Sequence, residues 1–290
     1  MRPAPPIHGI AVVDKDTGWT SHDVVAKARG LLGTRKVGHS GTLDPDATGV
    51  LVLGVGRATR LLRFLTVLPK AYEAEIRFGI ETDTLDAAGR ITVTHEMPAP
   101  TPADVSSEAA RFVGDLLQVP PMVSAIKVGG RRLHELAREG VEIEREPRPV
   151  RVTRFDVAPT SDPFRFTARV ECSSGTYVRV LGADLGHALG GGAHLTALRR
   201  TAVGAFTLDD ARPLEEICLL PIEEAARGLG RTVVDEATAA DIAVGKVLDQ
   251  AELGVAGDPP WPVFGPDGDL LAYYEPHRGG RVKPAVVLIG

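Results

Sequence analysis

Cysteine is nearly absent from this chain, long apolar runs are missing, and positive charge is in short supply. Each lack removes a class of protein. Cys172 and Cys218 are the only two cysteines in 290 residues, and they form no C-x-x-C pair. That excludes a disulfide framework and a cysteine zinc site, and it suits a reducing compartment. No apolar run reaches the ~18 residues that a membrane span requires. The amino terminus, MRPAPPIHG, lacks the basic-then-apolar plan of a secretory signal, so a cytoplasmic protein is expected. The net charge of −5 argues at first against a nucleic-acid partner.

What is present softens that last exclusion. The composition is ordinary for a globular protein, at 43% hydrophobic and 24% charged residues. Such a length fits one large domain with a small one after it, here expected at 1–230 and 231–290. Residues 1–207 hold 26 Lys and Arg against 23 Asp and Glu, whereas residues 208–260 hold 4 against 12. The negative excess therefore lies late in the chain. Basic residues bunch at Lys27, Arg29, Arg35, Lys36, Arg57, Arg60 and Arg63. RNA binding needs a local positive face rather than a positive total, so composition permits RNA without requiring it.

Periodicity organises the chain. Gly9 to Val13 reads as a buried strand, and Ser21 as the N-cap of a helix that runs to Leu32 and stops at Gly33. After a polar loop from Gly38 to Gly49, Val50 to Val55 reads as a buried strand and Ala58 to Leu65 as helical. Lys70 to Phe78 alternates, with Tyr72, Ala74, Ile76 and Phe78 on one face and Glu73, Glu75 and Arg77 on the other. A helix is expected near 103–113, a strand at 124–128, a short helix at 131–138, strands at 150–157 and 164–171, and a helix at 177–189. The acidic stretch 208–230 reads as containing a connecting helix, and 231–290 as short strands joined by Gly/Pro turns. These elements predict an α+β architecture, with a mixed, largely antiparallel central sheet flanked by helices and a small β-rich module at the end.

The segment Gly38 to Gly49, GHSGTLDPDATG, is the densest cluster of reactive and conformationally special residues. Loops of this kind between rigid elements carry chemistry. An equally good reading is a plain turn, because Asp44 before Pro45 is type I turn chemistry. Three familiar motifs fail here. Gly38-His39-Ser40 lacks the glycine spacing of a hydrolase elbow. No Lys-Ser or Lys-Thr completes a phosphate loop, and Gly54-Val55-Gly56 reaches Thr59 where a dinucleotide fingerprint needs glycine or alanine.

Gly41-Thr42-Leu43-Asp44-Pro45-Asp46-Ala47-Thr48-Gly49, with His39 upstream, resembles the signature of the TruB family of pseudouridine synthases. Further echoes of that family follow in order. They are Val13-Asp14-Lys15 with Gly18 and Ser21, Lys70-x-Tyr72, Thr82-Asp83-Thr84 with Asp86 and Gly89, and Pro121 with Ser124-Ala125 and Lys127. Gly175-Thr176-Tyr177-Val178-Arg179 and Gly192-Ala193-His194 leading to Leu198-Arg199-Arg200 complete the set. The matches span roughly Ile7 to Ala205. One departure is Ser174, where some relatives carry lysine.

The resemblance implies the pseudouridine synthase fold with a PUA-like carboxy-terminal module. It also implies isomerisation of uridine-55 in the T-arm loop of tRNA, without metal, cofactor or obligatory protein partner. It makes Asp44 the essential carboxylate, Arg179 the cation that holds it and keeps it charged, and Tyr72 the ring against the target base. His39 would fill the space left by a flipped base. Tyr177 and Leu198 would wall the pocket, and Lys15, Lys127, Arg199 and Arg200 would contact phosphates or the pocket. An RNA-binding or RNA-chaperone protein without turnover is the alternative, a guide-RNA-dependent relative the near one, and an Asp/His hydrolase a distant third.

Overall fold

Strand alternation is the strongest feature of the sequence, and the computed structural model, which describes residues 7–124, 127–128, 130–132, 139–141 and 143–289, is built around it. β1 (Gly9–Lys15) is almost wholly buried and leads into α1 (Ser21–Leu31). Short β2 (Val37–His39) precedes β3 (Thr48–Val55), and a 3-10 turn over Gly56–Leu61 continues into α2 (Leu62–Thr66). β4 (Lys70–Phe78) carries the predicted faces, with Ala74, Ile76 and Phe78 buried. β5 (Ile80–Thr82) and β6 (Ile91–Thr94) form a hairpin beside it. Next come α3 (Pro102–Ala110), β7 (Gly114–Gln118) and a minimal hairpin of β8 (Lys127–Val128) with β9 (Arg131–Arg132). β10 (Arg148–Pro159), β11 (Arg165–Cys172), α4 (Val178–Ala188), β12 (Ala193–Val203) and β13 (Phe206–Thr207) complete the larger part.

These strands make one nine-stranded sheet in the order β1-β3-β12-β4-β11-β10-β7, with β2 on β3 and β13 on β12. Only β3 and β12 run parallel, so the sheet is mixed and largely antiparallel as expected. A second, five-stranded sheet follows, built from β14 (Thr232–Val233), β15 (Leu248–Asp249), β16 (Trp261–Phe264), β17 (Leu270–Pro276) and β18 (Arg281–Val287). Two helices, α5 (Glu236–Ala243) and α6 (Gln250–Leu253), lie within that module. One core cluster is shared between the sheets: Ile10, Val52, Leu61 and Phe206 pack with Phe264, Leu270, Tyr273 and Val286.

Four expectations need correction. The N-cap of α1 is Thr20, not Ser21. Thr20 Oγ1 accepts from Asp23 N, and the Asp23 carboxylate accepts from Thr20 N, a reciprocal capping box. Residues 208–230 hold no α-helix but two 3-10 turns, Leu214–Glu216 and Ile222–Ala226. Pro213 and Pro221 cut the segment, and its backbone is committed to β1 through Arg212 N to Val12 O and a reciprocal Ile10–Leu220 pair. Arg131–Arg132 pairs with β8 instead of opening a helix, and the rest of that expected helix, 133–138, lies outside the described residues. β12, the sheet's second longest strand, was not foreseen at all. Its register shifts between Leu195 and Ala197 and again between Arg200 and Ala202, and two bulges erase the two-residue period.

Candidate active site

The GHSGTLDPDATG loop leaves β2 and returns through β3, and it is fastened from four directions. Ser40 N donates to Val52 O. The buried Ser21 hydroxyl accepts from Leu43 N at 2.9 Å and donates to Leu43 O at 3.3 Å. Lys15, also buried, gives its ammonium to the carbonyls of Asp16, Trp19 and Pro45 at 2.7–2.9 Å. Arg200, only 1% exposed, donates to the carbonyls of Val50, Thr42 and Gly41. Gly49 lies at φ +100°, where a Cβ would meet the Arg200 carbonyl at 2.2 Å, so this contact tolerates only glycine.

Asp44 sits at the first position of a turn closed by Ala47 N to Asp44 O. The plain-turn reading of Asp-Pro is therefore correct, and the turn presents the carboxylate. Asp44 Oδ2 lies 3.0 Å from Arg179 Nε, at the start of α4. The Arg179 side chain is 3% exposed: Nη1 donates to Thr84 O at 2.6 Å, Nη2 donates to Val123 O at 3.0 Å, and Asp86 Oδ2 stands 3.5 Å from Nη1. Its planar fork thus joins the GHSGTLDPDATG loop to the β5–β6 hairpin. Burial and the neighbouring Asp86 push the Asp44 carboxyl up, and the attraction of Arg179 and Lys15 does not cancel them. The expected ion pair is present, but it does not hold this carboxyl in the ordinary range.

A cavity of about 410 Å³ opens on this pair. Asp44, Tyr72, Tyr177, Arg179, Leu198 and Arg200 all line it, so the structure gathers six of the expected site residues around one space. Tyr72 is half-buried, on β4 directly opposite Arg200 of β12. Burial pushes its hydroxyl above the usual tyrosine value, and Arg200 opposes that shift. Tyr177 is the N-cap residue of α4. Gln118 grips it at both ends of its peptide, accepting from Tyr177 N and donating to Tyr177 O. Leu198 also lines a second cavity of about 220 Å³ that Asp44 borders too, with Asp86 and Thr84.

The remaining expected residues divide. His39 is half-buried beside the loop, accepts from Gly41 N, and packs edge-to-face on the exposed His22 ring at 5.3 Å. Burial lowers its pKa. Arg199 is paired with Asp14 at 2.7 Å and touches the Thr48 hydroxyl. Lys15 gives its ammonium to backbone carbonyls and fixes the loop, and Arg200 bonds the loop's carbonyls while also lining the cavity. The Lys127 side chain lies outside the described residues. Sequence reasoning missed Lys70, Asp86 and Gln118 as site residues. Lys70 and Asp86 stood inside quoted motifs, but Gln118 has no signal short of the fold, since it meets Tyr177 from β7.

With that geometry in hand, comparison with known proteins is decisive. The N-terminal domain model of the TruB family pseudouridylate synthases matches residues 29–178, more than half of the chain. The chain belongs to the TruB family. The model of the tRNA pseudouridylate synthase B C-terminal domain matches residues 179–234. A relative named tRNA pseudouridine synthase B from Nocardia farcinica is 48% identical over 292 residues, covering 98% of this chain and 94% of its own. One of the same name from Arthrobacter sp. (strain FB24) is 47% identical over 298 residues, covering 97% and 96%. Among solved structures, a chain of a Cbf5-Nop10-Gar1 complex superposes with a TM-score of 0.73 at 24% identity, covering 97% of this chain and 85% of that one. That identity shows a common fold, the pseudouridine synthase fold with a β-rich carboxy-terminal part.

Proposed function

We infer that the chain isomerises uridine-55 in the T-arm loop of tRNA to pseudouridine, with Asp44 as the catalytic carboxylate. The observation that carries this reading is the Asp44–Arg179 ion pair at the wall of a cavity shared with Tyr72. The C1′–N1 bond breaks, the base turns, C1′ joins C5, and the C5 proton moves to solvent while the product gains N1–H. Atoms and charge balance within the nucleotide, so the protein's residues need only position, stabilise and move a proton. Asp44 supplies the ionised oxygen that the covalent step requires. Arg179 orients it, and the Tyr72 ring lies against the base, with its hydroxyl placed to assist at C5. A uridine held in a folded loop reaches this cavity only by flipping, at a cost of a few kcal/mol in stacking. His39, half-buried beside the loop, fills the gap left behind.

The same reading assigns residues 1–230 to catalysis and 231–290 to a PUA-like RNA-binding module, with tRNA as the partner and the cytoplasm as the place of action. The break between the two sheets, after Thr207 and before Thr232, supports that division. Tritium release from a T-arm stem-loop labelled at C5 of uridine tests the activity. The wild-type protein releases tritium, and Asp44→Asn does not, a loss of at least about 10⁴-fold for removal of a nucleophile. Release that survives Asp44→Asn overturns the role of Asp44. Tight binding with no release from the wild-type protein favours the chaperone reading.

A further inference from the structure

The cavity beside Asp44 holds more positive charge than the reaction uses. Its charged lining residues are Asp44, Arg179, Lys70 and Arg200, and Asp44 neutralises only Arg179. Lys70 is 7% exposed and Arg200 is 1% exposed, and among the described residues no carboxylate lies within ion-pair distance of either. Two buried cations without an anion in a protein of net charge −5 are costly, because a buried charge is tolerated when it is paired. The nearest ionisable neighbours do not help. The Cys172 thiol is pushed up to about 11 by burial and stays neutral, as does the Tyr72 hydroxyl.

Lys70 donates to the carbonyls of Thr66 and Leu68. An ammonium has three protons, so one remains. Burial, and then the Arg200 charge beside it, lowers the Lys70 pKa to about 8. A further feature faces the same space. α4 begins on the cavity wall at Tyr177–Val178, with no cap bond from the Tyr177 side chain and no acidic residue in its first turn to offset its positive end. Ser174, Gly175 and Thr176 complete that wall with small polar groups that leave room for a ligand.

We propose that Lys70, Arg200 and the amino-terminal end of α4 form an anion subsite that receives a backbone phosphate adjoining the flipped uridine. Lys70 makes the direct contact, and Arg200, occupied by three carbonyls, supplies field. The phosphate anchors the sugar so that C1′ stands over Asp44, while Tyr72 meets the base. This proposal rests on the reading of the cavity as the uridine pocket.

The test compares wild-type protein with Lys70→Met and Lys70→Arg, using a T-arm stem-loop RNA and copies carrying an uncharged methylphosphonate at one linkage beside the target uridine. Lys70→Met is expected to bind the native RNA about tenfold more weakly, as for loss of one charged hydrogen bond. Its plot of log affinity against log salt should be shallower by about 0.7, the value for one phosphate contact on a single strand. Lys70→Arg should recover most of both. The methylphosphonate should weaken the wild-type complex but not the Lys70→Met complex further. An unchanged salt slope in Lys70→Met, or a methylphosphonate penalty that persists in it, overturns the phosphate subsite. If Lys70→Met does not fold, equal wild-type affinity for the methylphosphonate and native RNAs overturns it alone. Tritium release by the wild-type protein on the native RNA is scored separately, so a failure of the enzyme reading is distinguishable from a failure of the subsite.

Discussion

At the scale of single residues, the site turns on two carboxylates that share one guanidinium. Asp44 stands 3.0 Å from Arg179 Nε and Asp86 stands 3.5 Å from Nη1. Asp86 repels charge on Asp44 and raises its pKa, while through Arg179 it helps hold the partner in place. Asp86→Asn is therefore expected to do two opposed things. It should move the acid limb of the kcat/KM profile to lower pH, because the raised Asp44 carboxyl relaxes toward its ordinary value. It should also lower kcat, by about tenfold, because the guanidinium loses one of its anchors. A pH–rate series on the stem-loop substrate checks both, and an acid limb that stays put or moves up refutes the coupling. Arg179→Lys should be nearly as damaging as Arg179→Ala, since one ammonium cannot span Asp44, Asp86 and the carbonyls of Thr84 and Val123 together. Residues of this kind were the legible part. Asp44, Tyr72 and Arg179 lie in compact local motifs, and the structure brings all three to one cavity. Gln118 and the loop-fastening Lys15 and Arg200 were illegible in role, because the sequence shows the side chains but not the backbone groups they meet.

Whole elements depend on how buried lysines are tolerated. Lys15 ends β1 and Lys70 begins β4; both are almost fully buried, and burial lowers both to about 8 from 10.5. The folded state thus releases these protons before the unfolded state does. Stability is lowest while both states are protonated, below about pH 8, and rises with pH as the folded lysines become neutral, by up to about 1.4 kcal/mol per pH unit for each lysine. Cys172 works the other way above pH 9, since its folded thiol holds its proton to about 11. Denaturant unfolding at pH 7 and at pH 9 should therefore show a gain of about 2 kcal/mol at the higher value. A loss over that interval would show that these lysines are hydrated rather than buried. At this scale the sequence conveyed strands with clean alternation, such as β4, and helices with clear caps. It concealed β12, where bulges break the period, and it suggested a helix in 208–230, where prolines and pairing with β1 impose two short turns.

On the scale of the whole molecule, the basic cluster that suggested an RNA face has another use. Arg57, Arg60 and Arg63 follow one another at three-residue spacing on the turn and helix after β3, so they lie along one side. They donate to the carbonyls of Leu288, Val287 and Ala285 at 2.6–2.8 Å, along and just beyond β18 of the carboxy-terminal module. Behind them lies an apolar seam in which Phe64 stacks on Tyr273 at 4.6 Å, and the Tyr273 hydroxyl donates to Ala225 O. The two attachments differ in strength. Arg60 and Arg63 are exposed to water, so their bonds contribute little each, whereas Tyr273 is fully buried. Replacing all three arginines by alanine should cost about 2 kcal/mol in total yet preserve a single cooperative unfolding transition, because the seam still couples the sheets. Tyr273→Ala should cost about 3–5 kcal/mol, the range for truncating a large buried ring, and should split the melt into two transitions. Calorimetry distinguishes these outcomes. Two transitions in the arginine variant and one in Tyr273→Ala would mean that polar clasps, not shared apolar core, join the five-stranded sheet to the nine-stranded one.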